Sequence, residues 1–256
     1  MLSQHSLEEA VQQAGIAAPP IYIQETGSTS SDAKLLADRG APEWTIVATG
    51  HQTAGRGRLG RSWASAPGKA LQFSLLLRPA LPPNDAPLAA LLAAVEMGRS
   101  CQDVAGLRVA SKWPNDLLAG GRKVGGILPE AKVSGGALDH LILGIGVNVS
   151  MGAIDFPEGI RDSATSLAME GAAVEVPALL GWFLSGFRDS WRPADPDFAG
   201  SVVRRYRPVC VTLGRRVRAT TTDGVVVEGV ASDLDEHGGL RVGDATIGFG
   251  EVVHLD

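Results

Sequence analysis

Residues 55–63 read GRGRLGRSW, and how this stretch is understood decides which fold the chain takes. Gly55, Gly57 and Gly60 satisfy the Gly-x-Gly-x-x-Gly spacing of a dinucleotide-binding turn. That turn works by presenting helix N-terminal amides to a pyrophosphate with no side chain in the way. Here Arg56, Arg58 and Arg61 occupy the intervening and following positions, and residues 62–68 contain Pro67 and no helical period. The context argues against a dinucleotide fold. Glycines interleaved with arginines make instead a basic loop able to fold over an anion, since each guanidinium offers a planar fork of donors for carboxylate or phosphate. A solvated surface loop is the alternative reading. Trp63 is either a core anchor or an aromatic face for a base.

Downstream, residues 111–131 read SKWPNDLLAGGRKVGGILPEA. Pro114 with Asn115 and Asp116 predicts a turn after a strand over 107–110, and Gly120-Gly121 predicts a hairpin reversal. Lys112 and Lys123 then sit on connected segments able to converge on one site; taken singly, each reads equally as an exposed lysine. Upstream, Gly27-Ser28-Thr29-Ser30-Ser31-Asp32 precedes an apolar-periodic segment (Ala33, Leu36, Ala37) and predicts a helix N-terminus. Its hydroxyls and amides serve either as caps or as a hold on a small polar ligand. The run GIGVNVS over 144–150 predicts a buried strand carrying Asn148, a residue type that in such runs is usually a satisfied structural one.

Around these motifs, strand-like runs (46–48, 71–77) alternate with helical ones (86–104, 176–191) in a domain built on a mixed sheet. From Val209 the texture changes to short strands over 209–213, 217–221, 225–231, 240–242 and 245–249, which predict a small barrel. The boundary is drawn at Arg207-Pro208. With 256 residues the chain can bury one sizeable core without disulfides. Cys101 and Cys210 lie in or beside apolar runs and read as reduced buried thiols, as in a cytoplasmic protein. The net charge of −5 does not invite nucleic acid, so any phosphate binding is local, at the arginine cluster. No run is long enough to span a bilayer and no signal peptide is evident. Gly68-Lys69-Ala70 lacks the P-loop pattern, the five histidines lack metal spacing, and no Gly-x-Ser-x-Gly elbow occurs.

Taken in order, Ser28-Thr29-Ser30, Gln52 with GRGRLGRSW, KWPNDLL at 112–118, GRKVGGIL at 121–128, GIGVNV at 144–149 and Ala164-Thr165-Ser166-Leu167 closely resemble the biotin–protein ligases. The likeness runs from about residue 21 to the C-terminus. It implies an α+β fold: a mixed-sheet, class II synthetase-like catalytic domain over 1–207 and a small SH3-like β-barrel over 208–256. It also implies activation of biotin with ATP to biotinyl-5'-AMP and pyrophosphate, with Mg²⁺ on the nucleotide. Biotin then passes to a lysine of a biotin carboxyl carrier domain of a carboxylase. By motif, Ser28, Thr29, Ser30 and Gln52 match the grip on biotin, with Ser30 standing where the family commonly has Asn. Arg56, Gly57 and Arg58 match the loop over the carboxylate and phosphate. Arg61, Lys112 and Asn115 match the ATP side, and Trp63 and Asn148 positions beside the adenine. Lys123 matches the lysine that touches both anions; with Arg58, Lys112 and Asp116 it makes the expected catalytic set. Lipoate ligases share the fold but lack the arginine-rich and KWPND signatures. The likeness is to the monofunctional type without an N-terminal winged helix, acting in the cytoplasm as monomer or homodimer without DNA or membrane. A nucleotide or RNA binder and a transcriptional regulator are the rival readings.

Overall fold

Between Ala70 and Leu77 the sequence ALQFSLLL is buried at every position, so it must have structure on both faces. The computed structural model describes residues 1–221, 223–248 and 250–255, and it supplies those two layers. Seven strands, β1 (Ile21–Thr26), β2 (Ile46–Gln52), β3 (Ala70–Leu77), β4 (Ala110–Lys112), β5 (Asp116–Ala119), β6 (Arg122–Ser134) and β7 (Ala137–Asn148), form one sheet in the order β1-β2-β3-β7-β6-β5-β4. Only β1 and β2 are parallel; the remaining pairs are antiparallel.

One face packs on helices α1 (Gln4–Gln13), α3 (Leu88–Ala105), α4 (Val176–Ser190) and α5 (Phe198–Tyr206). Leu71, Phe73, Leu75 and Leu77 of β3 point into this core with Leu141, Leu143, Ile145 and Val147 of β7. The apolar stripe of α4 stacks Phe183 on Phe187 and Phe187 on Trp191. The opposite face carries helix α2 (Thr29–Asp38), whose Ala33 and Ala37 cover Val47, Leu76 and Ile142. This short helix covers one end of the face, and the rest becomes the site.

The C-terminal stretch forms a five-stranded antiparallel sheet in the order β11-β10-β9-β8-β12, from β8 (Arg216–Thr221), β9 (Val226–Leu234), β10 (Leu240–Val242), β11 (Ala245–Ile247) and β12 (Gly250–His254). Its apolar side, including Val217, Ala231, Leu240 and Val252, joins the main core. Trp113 ties the two parts: its backbone N–H donates to Thr212 Oγ1 at 3.0 Å and its indole N–H to the Gly238 carbonyl at 2.9 Å.

Several expected elements shift. Residues 209–213 are not a strand: a short 3-10 turn (Arg207–Val209) hands the chain to Cys210, which makes a single bridge to Ser111. Pro208 has no N–H for a ladder, which suits it to that turn. The barrel's fifth strand is β12 instead, and the expected strand over 245–249 ends at Ile247, with Phe249 outside the described residues. Asp256, the end of the expected barrel domain, also lies outside them. The strand expected over 107–110 begins only at Ala110, because Gly106 in the left-handed conformation stops α3 and residues 107–109 carry the chain back to the sheet. Helix α5 had no sequence expectation at all.

Candidate active site

Strand pairing sets the floor of the site. On the uncovered face β3 presents Gln72 and Ser74, and their partners on β7 are Gly146 and Gly144; Asn148 lies one step further along. The glycines are required by close approach. A Cβ on Gly144 would lie 2.6 Å from Ser30 Oγ, and one on Gly146 would lie 2.7 Å from Trp63 Cε2. The GIG of the sequence therefore makes room, at one position for the α2 hydroxyl and at the other for an indole laid on the sheet.

Above this floor is a cavity of about 350 Å³. Every residue given a site role by the resemblance lines it: Ser28, Thr29, Ser30, Gln52, Arg56, Gly57, Arg58, Arg61, Trp63, Lys112, Asn115, Asp116, Lys123 and Asn148. Arginines 56–61 and lysines 112 and 123, separated by some fifty residues of chain, thus converge on one space.

The polar end of α2 is tied inward. Thr29 Oγ1 lies 2.8 Å and Ser30 Oγ 3.0 Å from Ser74 Oγ. Gln52, at the end of β2, accepts from the Thr29 backbone N–H at 2.9 Å and donates to Gln72 Oε1 at 3.0 Å. Ser28 occupies the N-cap position but makes no side-chain capping bond. Its hydroxyl instead accepts from Arg56 Nε at 3.5 Å. The capping reading of this serine therefore fails, and its oxygen faces the cavity.

The basic loop folds back on itself through a bridge between Arg56 and Ser62, with Leu59 at a positive φ of 53° at its tip. Each arginine is held by a different element. Arg56 makes a two-pronged contact with Glu130 of β6 at 3.1 and 2.8 Å. Arg58 donates to Asn115 Oδ1 at 3.2 Å. Arg61 pairs with Glu251 of β12, so the C-terminal sheet reaches the rim. Burial pushes the Arg58 guanidinium below its ordinary range, against the opposing pull of Asp116 and Glu251. Across the cavity Lys123 Nζ lies 2.5 Å from Asp116 Oδ1. Asp116 and Lys112 face each other across the β4–β5 pair.

Three buried side-chain atoms on this face have no hydrogen-bond partner among the described residues: Trp63 Nε1, Gln72 Nε2 and Asn148 Oδ1. Buried polar groups are nearly always paired, so such a cluster marks where a ligand's own donors and acceptors belong. Trp63 lies over Gly146 and lines the cavity. Asn148 is only half satisfied, its Nδ2 donating to the Thr165 carbonyl at 2.9 Å.

Sequence reasoning missed Glu130, Glu251, Gln72 and Ser74. The last two carried a signal, two polar residues at alternate positions of an otherwise apolar strand. Glu130 and Glu251 carried none, because nothing local to either residue says which arginine it will meet.

Comparison with known proteins bears on this geometry. Residues 23–148 match the model described as biotin/lipoate A/B protein ligase family, and residues 212–255 the biotin protein ligase C terminal domain. The chain is 35% identical over 246 residues to the biotin–acetyl-CoA-carboxylase ligase of Mycobacterium tuberculosis, covering 91% of this chain and 88% of that one. It is 35% identical over 221 residues to the bifunctional ligase/repressor BirA of Bacillus subtilis, covering 86% of this chain and 68% of that protein. A solved structure, the biotin protein ligase from Aquifex aeolicus in complex with biotin and ATP, superposes with a TM-score of 0.72 at 26% identity, covering 91% of this chain and 97% of that one.

Proposed function

The chain belongs to the biotin protein ligase family, and on that premise we propose that it condenses biotin with ATP and hands the biotinyl group to a lysine of a biotin carboxyl carrier domain. One observation carries the reading: Arg56, Arg58, Arg61, Lys112 and Lys123 line one cavity that also holds unpaired buried donors and acceptors.

In the first half-reaction a biotin carboxylate oxygen attacks the α-phosphorus of ATP and pyrophosphate leaves with the bonding pair. Two anions are forced together, so the site's main work is to place fixed positive charge where negative charge builds while keeping water out. Lys123, lining the same cavity as Arg56 and Arg58, is suited to bridge carboxylate and phosphate, and Lys112, Asn115 and Arg61 to hold the departing phosphates. Gly57 lets the loop lie close over the join. Ser28, Thr29, Ser30 and Gln52, already braced on Ser74 and Gln72, supply a pre-set polar end for the biotin ring system. Trp63 and Asn148 face the base.

In the second half-reaction the neutral amine of the carrier lysine attacks the acyl carbon and AMP leaves. The ion pair with Lys123 supports Asp116 as an orienting group. Converting Asp116 to Asn and timing transfer from preformed adenylate checks it; an unchanged rate removes Asp116 from the step. Mg²⁺ would accompany the triphosphate and would supply positive charge to the departing pyrophosphate. Asp116 is the candidate for an indirect contact with that ion.

The division between catalytic and barrel units is proposed at residues 207/208, with the barrel lending Glu251 to the rim. A cytoplasmic setting suits the two free, buried cysteines, and no helix among the described residues is long and apolar enough to cross a membrane. The test is direct. Purified chain with biotin and ATP is expected to release pyrophosphate only when biotin is present, and labelled biotin to reach a carrier domain. Release that ignores biotin sinks the reading.

A further inference from the structure

Residues 163–170, of which Ser163 and Ala164 line the cavity, run along the end of β7 and carry a set of contacts that the reaction above does not use. The Lys123 N–H donates to the Ser163 carbonyl at 2.8 Å and the Thr165 N–H to the Lys123 carbonyl at 2.8 Å. Thr165, fully buried, donates its hydroxyl to Glu170 Oε1 at 2.6 Å, and Arg122 Nη2 donates to the same oxygen at 2.7 Å. The other carboxylate oxygen lies over Gly120, where an added Cβ would approach to 2.5 Å. The Thr165 hydroxyl, and after it Arg122, hold the Glu170 carboxyl below the usual carboxylate range against the opposing effect of burial. Glu170 therefore clips Thr165 to the β5–β6 turn.

The Thr165 carbonyl in turn accepts from Asn148 Nδ2. A carbonyl oxygen only accepts, so it selects one orientation of the Asn148 amide: the NH₂ end faces Thr165 and Oδ1 faces away. That Oδ1 is buried with no protein donor among the described residues, two positions along β7 from the glycine on which Trp63 lies. Resting on the proposed function, we infer that Glu170 is a positioning residue that sets the site's preference for a 6-amino over a 6-oxo purine, by fixing the Thr165 carbonyl that orients Asn148.

The chemistry follows from the amide. A 6-amino purine brings an N–H to the waiting Oδ1. A 6-oxo purine brings a second acceptor, and two lone pairs then meet in a buried site. If the Thr165 carbonyl is free to turn, the amide is free to flip, and its NH₂ end then accommodates the 6-oxo base.

The test compares biotin-dependent pyrophosphate release with ATP and with inosine triphosphate for wild type, Glu170→Ala, Glu170→Gln and Thr165→Val. A site whose buried acceptor is left unpaired by the wrong base should favour ATP by about a hundredfold or more in kcat/KM. Glu170→Ala and Thr165→Val are expected to cut that ratio at least about fivefold, through a higher KM for ATP and a lower one for inosine triphosphate. The KM for biotin should stay within about twofold. Glu170→Gln should keep the wild-type ratio, because its amide oxygen can accept from both Thr165 and Arg122. Thr165→Val, nearly isosteric, decides the matter if Glu170→Ala fails to fold. An unchanged ratio in the folded variants overturns the inference while leaving the ligase reading intact, and so does an equal loss for both nucleotides and for biotin. Wild-type chain that releases no pyrophosphate with biotin sinks the ligase reading and this inference with it.

Discussion

Gly146 and Trp63 share one volume, so the smallest addition at residue 146 is felt at the indole. A Cβ 2.7 Å from the indole must push the ring off the sheet. Gly146→Ala is expected to raise the KM for ATP by about tenfold with little effect on biotin, consistent with a cost of about 1–3 kcal/mol for overpacking; equal effects on both substrates would deny Trp63 a place at the nucleotide. Arg58 argues differently. Its guanidinium is half-buried and donates to Asn115, so its charge is screened less than that of a fully exposed arginine. Arg58→Gly is expected to let adenylate escape on the order of a hundredfold faster, read as free biotinyl-5'-AMP by chromatography. Adenylate retained as in wild type would show that Arg58 does not hold the intermediate.

At the scale of elements, the arginine loop is a short hairpin whose three cationic arms are anchored on β6, the β4–β5 turn and β12. Glu130 anchors two cations, Arg56 and Lys34, both partly exposed. Such pairs contribute about 0–1 kcal/mol to stability, so their effect should be on placement. Glu130→Gln is expected to raise the KM for biotin severalfold while moving Tm by no more than about 4 °C. A large fall in Tm with unchanged KM would recast Glu130 as structural. At this scale the sequence was readable wherever a period or a turn is local: α2, β3, α4 and the Gly120-Gly121 reversal. It was unreadable over 207–214, where the chain is shaped by docking onto Ser111 and Trp113 rather than by its own pattern.

For the molecule as a whole, the C-terminal sheet is clasped to the catalytic part through the turn that holds His237. His237 Nδ1 lies 2.6 Å from Asp85 Oδ1, just ahead of α3. The hydrogen bond to Asp85, aided by the charges of Asp85, Asp235 and Glu236, raises the His237 pKa against the effect of burial. A folded-state value above the unfolded one, about 6.5, means that this stabilisation is complete below that pH and is lost as pH rises through the folded value. Thermal stability should therefore fall slightly as pH rises above about 6.5, and His237→Gln should flatten that part of the profile. Because the ring is about half exposed, added salt should shrink the effect. A profile of the same slope in the variant would assign the titration elsewhere.

What the sequence alone determined is the chemistry: arginines spaced by glycines, two lysines flanking a Pro-Asn-Asp turn, and a strand with glycines where large side chains would stand. Each rests on residue types and short spacings, and those are local properties of the chain. The tertiary structure decided the partnerships. It chose which carboxylate holds each arginine, set Ser28 to face the cavity instead of capping a helix, left Asn148 Oδ1 unpaired, and brought Glu251 in from the last strand. Those contacts join residues tens to nearly two hundred positions apart, and only strand order and register bring such residues within reach of one another.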